Sequence, residues 1–180
     1  MKNQNTKKLA YAALFLALSL VLPMLTGQIP QIGSMLLPMH IPVLLCGLVC
    51  GGQYGAAVGF VAPLLRSVLF GMPPMYPVAI AMAFELLTYG LVIGLVYRRM
   101  AQKGAAGVYA ALLTAMAAGR LVWSVAEVVL LGLGGKAFTA QAFLAGALLN
   151  AVPGIIVQLV LIPAVMAALQ KAGAVKEYAK

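Results

Sequence analysis

Arg66, Glu85, Arg120 and Glu127 stand inside long apolar stretches of this sequence, with His40 at the start of one stretch and Asn150 within another. Ionisable groups in such surroundings are costly to keep, and by default they mark a functional site. A guanidinium takes a carboxylate bidentately, so two arginines and a histidine suit an anionic small molecule. The alternative is structural: two arginines and two glutamates balance, and as two buried ion pairs they would fix helices together without any ligand. Other chemistry has no residues to stand on. There is one histidine and no aspartate. Neither a Gly-x-Ser-x-Gly elbow nor a Gly-x-x-x-x-Gly-Lys-Ser/Thr loop occurs, so a hydrolase nucleophile and a phosphate cradle for ATP are both excluded. Cys46 and Cys50 lie four apart in an apolar run with no His or carboxylate beside them, and they read as small buried hydrophobes. No catalytic residue, metal or cofactor is expected.

The elements that must position these groups follow from composition. A soluble domain carries about 25% charged residues; this chain of 180 residues carries 8%, against 64% hydrophobic, and its mean hydropathy is +1.05. It is expected to be an all-α integral membrane protein, a single membrane domain over residues 1–180. A span needs about 20 apolar residues. Six transmembrane helices are expected, at about 9–25, 41–51, 54–70, 76–97, 105–131 and 140–169. The second is short for a full crossing. The apolar segment after Lys7 and Lys8 lacks a small-residue cleavage site and reads as the first span, not a cleaved signal. Gln28 to Pro38 reads as an ordered loop, the glycines of Cys50 to Gly55 as a break between helices, and Gly71-Met72-Pro73-Pro74 as a turn. Pro153 and Pro163 are expected to kink the last span.

Orientation follows from the basic residues. A net charge of +9 would suggest nucleic acid in a soluble protein, but here the basic residues form short clusters between apolar stretches, and no nucleic-acid partner is expected. Lys2, Lys7, Lys8, Arg98, Arg99, Lys103, Lys171, Lys176 and Lys180 fall on one side and Lys136 alone on the other, which puts both termini in the cytoplasm. With that orientation, Glu85 lies roughly 13 Å below the outer surface at 1.5 Å per residue from Tyr76. Arg66, Arg120, Glu127 and Asn150 also fall at the midplane or above it, whereas the inner half holds little that is polar except Gln158. This distribution describes a polar cavity open to the outside and closed beneath by apolar packing; a channel would be polar along its whole length. Trp123, three residues from Arg120, sits on the same face and could stack on a ligand. Ala10, Ala13 and Ala17 line one face of the first helix, where small residues let another helix approach closely.

These features together resemble the substrate-binding S component of energy-coupling factor (ECF) vitamin transporters. The resemblance rests on six short helices, a basic amino terminus and the run Ala13-Leu-Phe-Leu-Ala17. It rests also on Pro38-Met-His-Ile-Pro-Val-Leu-Leu-Cys-Gly47 at the entry of the second helix, and on the Gly-rich turn and outer loop of Gly51 to Pro63 and Gly71-Met-Pro-Pro74. The resemblance implies an S-component-like bundle in a bacterial plasma membrane that captures a micronutrient from outside. It implies docking through the alanine face onto a transmembrane scaffold subunit served by two cytosolic ATPase subunits, and toppling to carry the substrate inward. Carried over by region, ligand contacts are expected from Gln28, Gln31, His40, Arg66, Met72, Tyr76, Glu85, Tyr89, Arg120, Trp123, Glu127 and Asn150. Pantothenate, or another carboxylate, is the ligand this resemblance favours. The competing expectation is a stand-alone ion-coupled transporter or channel in which Glu85 and Glu127 relay protons.

Overall fold

The computed structural model describes residues 2–26, 37–100, 104–133 and 152–173, and the described residues are almost entirely helical. Helix α1 (Lys2–Val21) runs into a 3-10 turn (Leu22–Thr26). It is followed by α2 (His40–Cys50), α3 (Gly52–Phe70), a π turn (Met75–Ala79), α4 (Ile80–Met100), α5 (Ala105–Leu133) and α6 (Val152–Lys171). Five of these segments are long and apolar enough to cross a membrane, so the protein is a multi-pass membrane protein. The exception is α2. Its 11 residues reach about 16 Å, roughly half of a 30 Å hydrocarbon core. It is apolar all round and buried all round, as such a helix must be: Val43, Leu44 and Cys46 are 0% exposed, and Cys46 and Cys50 are free thiols in the packed interior. Helices α1, α3, α4 and α6 surround it.

Two glycines set the chain reversals around this core. Gly51, between α2 and α3, has φ 102° and ψ 163°, a conformation that a side chain resists. Gly71 ends α3 in the left-handed region, with its N–H donating to the Ser67 carbonyl. The chain then passes through cis peptide bonds at Met72–Pro73 and Tyr76–Pro77. Tyr76 itself is extended (φ −117°, ψ 132°), so regular α4 begins at Ile80, later than the Tyr76 start expected from hydropathy alone.

Helices α2, α3 and α4 meet backbone to backbone. A Cβ added at Gly55 would sit 2.7 Å from the Gly47 Cα and 2.7 Å from the Gly90 carbonyl oxygen. At Gly59 it would run into the Leu86 carbonyl, at Gly90 into the Gly55 peptide, and at Gly94 into Gly52. Gly55-Ala-Ala-Val-Gly59 and Gly90-Leu-Val-Ile-Gly94 are therefore facing small-residue motifs, and the pairing runs antiparallel. In lipid, where apolar burial drives little association, such close approach supplies the packing contacts that hold helices together. The alanines of α1 have a different role. Ala12, Phe15 and Ser19 face the core, whereas Ala10, Ala13 and Ala17 lie on the exposed face with Leu14, Leu18 and Val21.

The two ends of the bundle differ. Gln170 Nε2 donates to the Tyr97 hydroxyl at 3.2 Å, and Lys8 lies within electrostatic range of Cys50. These contacts gather Lys7, Lys8, Arg98, Arg99 and Lys171 at the Gly51 end. The opposite end, where α3 turns through Gly71 into α4, carries the site.

Candidate functional site

Three helices bring the central polar residues together. On α4, Glu85 and Tyr89 are one turn apart on the face that also buries Leu86 and Ile93. On α5, Arg120, Trp123 and Glu127 follow at helical spacing on one face. His40 is the first residue of α2. The antiparallel packing of α4 and α5 sets their register, and Gly119 is what allows it: a Cβ there would lie 2.9 Å from the Tyr89 ring. Regular helix from Ile80 puts Glu85 about 8 Å along α4.

Glu85 is the hub. Its Oε1 lies 3.3 Å from Arg120 Nη1 and 3.6 Å from His40 Nε2. The carboxylate is 2% exposed and the histidine 1%, with the arginine at 16%. His40 packs edge-on to Tyr89 with ring centroids 5.2 Å apart, and Tyr89 in turn lies within reach of Glu85 and Arg120. The Arg120 guanidinium is 6.0 Å from the Trp123 ring centroid. Glu127 is buried and lies within electrostatic range of Glu85.

Both approaches to Glu85 are longer than the 2.7–2.9 Å of a tight charge-assisted hydrogen bond. Much of the polar surface is unused. Arg120 Nε and Nη2, both His40 ring nitrogens and Glu85 Oε1 are buried without a hydrogen-bond partner among the described residues. Buried polar atoms are ordinarily paired, because leaving them bare costs on the order of 1–3 kcal/mol each. Nε and Nη2 form the side-on edge of a guanidinium, the edge that takes a carboxylate or phosphate with two parallel bonds. The arrangement is a buried donor fork with no hydrogen-bond partner among the described residues, beside a carboxylate.

Other expected residues lie apart. Arg66 is buried, but its Nη1 donates to the Leu20 carbonyl near the end of α1 and its guanidinium lies 5.2 Å from the Phe70 ring. It caps a helix C-terminus, where a cation is favoured, and ties α3 to α1. The structural alternative of two internal ion pairs does not form: among the described residues Glu85 pairs with Arg120 and His40, while no ion pair joins Arg66 or Glu127 to an opposite charge. Tyr76 is half exposed, and its hydroxyl donates to the Leu130 carbonyl, closing the π turn onto α5. Met72 is half-buried in the same connection. Gln28, Gln31 and Asn150 lie outside the described residues. Among the described residues no three His, Cys, Asp or Glu side chains group as a metal site requires.

One polar residue was expected elsewhere. The sequence places Gln158 in the inner half of the last span, whereas a helical count from the Tyr97–Gln170 contact brings it to about the depth of Glu85. Gln170 sits at the Gly51 end beside Tyr97, and Gly154, Gln158, Ile162 and Met166 are all buried. Helix α6 packs against α5 and α2, the helices that carry Arg120 and His40, and its far end reaches Tyr97 of α4. Counting back equally from Tyr97 and Gln170, about 18 Å along each helix, reaches Glu85 and Gln158. Gln158 is 1% exposed, with neither amide atom hydrogen-bonded among the described residues.

No curated protein and no solved structure matches the chain. The family described as "ECF transporter, substrate-specific component" matches residues 7–167. A bundle of apolar helices with a buried polar cluster at one end is consistent with that match, and the chain belongs to the substrate-specific components of ECF transporters.

Proposed function

We propose that the His40–Glu85–Tyr89–Arg120 cluster binds a carboxylate-bearing micronutrient, with pantothenate the first candidate, on the external side of a bacterial plasma membrane. ECF substrate-specific components are non-catalytic and generally partner with a transmembrane scaffold and ATPase subunits; this chain would deliver its ligand to such a module. The observation that carries the reading is the Arg120 side edge, Nε and Nη2, buried and unpartnered beside a carboxylate already shared with His40. Trp123 and Glu127 border the same face of α5, and Gln28, Gln31, Met72, Tyr76 and Asn150 are proposed as contacts from the surrounding segments. The basic residues gathered at the Gly51 end support a cytoplasmic position for that end, which leaves the cluster nearer the outside.

The test is ligand affinity of the purified protein, screened by thermal shift against a vitamin panel and quantified by calorimetry. Arg120→Ala is expected to weaken binding of an anionic ligand by about 2 kcal/mol or more, roughly thirtyfold, as for a lost charged hydrogen bond. Unchanged affinity would mean that Arg120 serves only to neutralise Glu85.

A further inference from the structure

Gln158 is a primary amide in a membrane-spanning helix. Such a group is expensive to bury unless it finds partners, and across helices it ordinarily does so. Gln170, three turns further along α6, shows the usual solution, with its amide donating to the Tyr97 hydroxyl. Gln158 has the stronger need, since it is 1% exposed, yet neither its Nε2 nor its Oε1 has a partner among the described residues. Its own face of α6 offers only Gly154, Ile162 and Met166. Helix packing alone would be served better there by a methionine of nearly the same shape, with no polar atom to satisfy. By the helical count from Tyr97 and Gln170, two polar groups without a partner among the described residues stand at about one depth, and α6 packs against α5 and α2, which carry Arg120 and His40. One is the Arg120 edge, which can only donate; the other is a side-chain amide, which can donate and accept side by side.

We propose that Gln158 is a second ligand contact, pairing with the donor and acceptor of an amide, lactam or ureido group on the molecule whose anionic group takes the Arg120 edge. This rests on the reading of the chain as the binding subunit for an anionic small molecule. It narrows that ligand to an amide-bearing carboxylate. A carboxylate with a purely hydrocarbon or thioether body would leave the Gln158 amide bare and bind less well, because specificity against a ligand lacking a polar group comes from the site's own unpaired polar atoms.

The experiment measures dissociation constants of the purified protein in detergent for three carboxylates: pantothenate, which carries an amide; biotin, which carries a ureido ring; and lipoate, which carries neither. The wild-type protein is expected to bind pantothenate or biotin at least about tenfold more tightly than lipoate. Gln158→Met should remove that preference while leaving the melting temperature of the unliganded protein unchanged or higher. Equal wild-type affinity for lipoate overturns the proposal, as does an unaltered preference in Gln158→Met. Should Gln158→Met not fold, the wild-type preference alone decides. Arg120→Met, measured in parallel, separates the two readings. If it weakens binding while Gln158→Met does not, the amide contact falls and the anionic ligand stands. If none of the three carboxylates binds, the anionic-ligand reading falls and takes this one with it.

Discussion

At the scale of single residues, the energetic centre is Glu85, one buried carboxylate oxygen between a guanidinium and an imidazole. Removing one partner of a buried pair strands the other charge, at about 3–5 kcal/mol, whereas removing both is far milder. Glu85→Gln is therefore expected to lower the melting temperature sharply in the wild-type background and much less in an Arg120→Met background. A thermal double-mutant cycle in detergent reads this difference; additive losses would show that the 3.3 Å approach carries no coupling. Much of the cluster was legible beforehand, because Glu85, Arg120, Glu127 and His40 each stand out as a charge or imidazole in an apolar run. Partnerships were not legible. Arg66 looks like Arg120 in sequence, and only tertiary packing sends it to the Leu20 carbonyl. The depth of Gln158 is not legible from span ends, and the Tyr97–Gln170 contact supplies a register that hydropathy lacks.

At the scale of elements, the α2–α3–α4 core works because glycines let three backbones touch. Gly90→Val would drive a side chain into the Gly55 peptide, where neither helix can yield without losing its other close contacts. Overpacking of this kind costs about 1–3 kcal/mol even where side chains can adjust. The expected outcome is loss of monodisperse protein on size-exclusion chromatography. Gly132→Val, at a position with nothing within 4 Å among the described residues, is the matched control and should behave as wild type. The helices themselves were readable from apolar length, and so was the break at Gly51 and Gly52. What the linear pattern conceals is which small residues meet: alanine is abundant throughout and forms a stripe on α1, whereas the two Gly-x-x-x-Gly motifs make the contact between α3 and α4. The late start of α4 was hidden for a similar reason, since Tyr76 is as apolar as a helical residue but adopts an extended backbone.

At the scale of the whole molecule, polar cluster, basic end and alanine face occupy three separate regions, which allows binding and assembly to be altered independently. Ala13 lies on the exposed side of α1, while Ala12 and Phe15 hold that helix to the core. A tryptophan at position 13 would project away from the bundle, so Ala13→Trp should leave ligand affinity of the isolated protein within about twofold, well under the 1.4 kcal/mol of a tenfold change. A helix approaching that face would meet an indole where a methyl had been, and small-residue interfaces tolerate such bulk poorly because their attraction depends on close backbone approach. Uptake in cells that also make the scaffold and ATPase subunits is therefore expected to fall to background. Equal loss of binding and uptake would show that the substitution damages the bundle and that the alanine face is not the docking surface. Intact uptake would place docking on another face of the molecule.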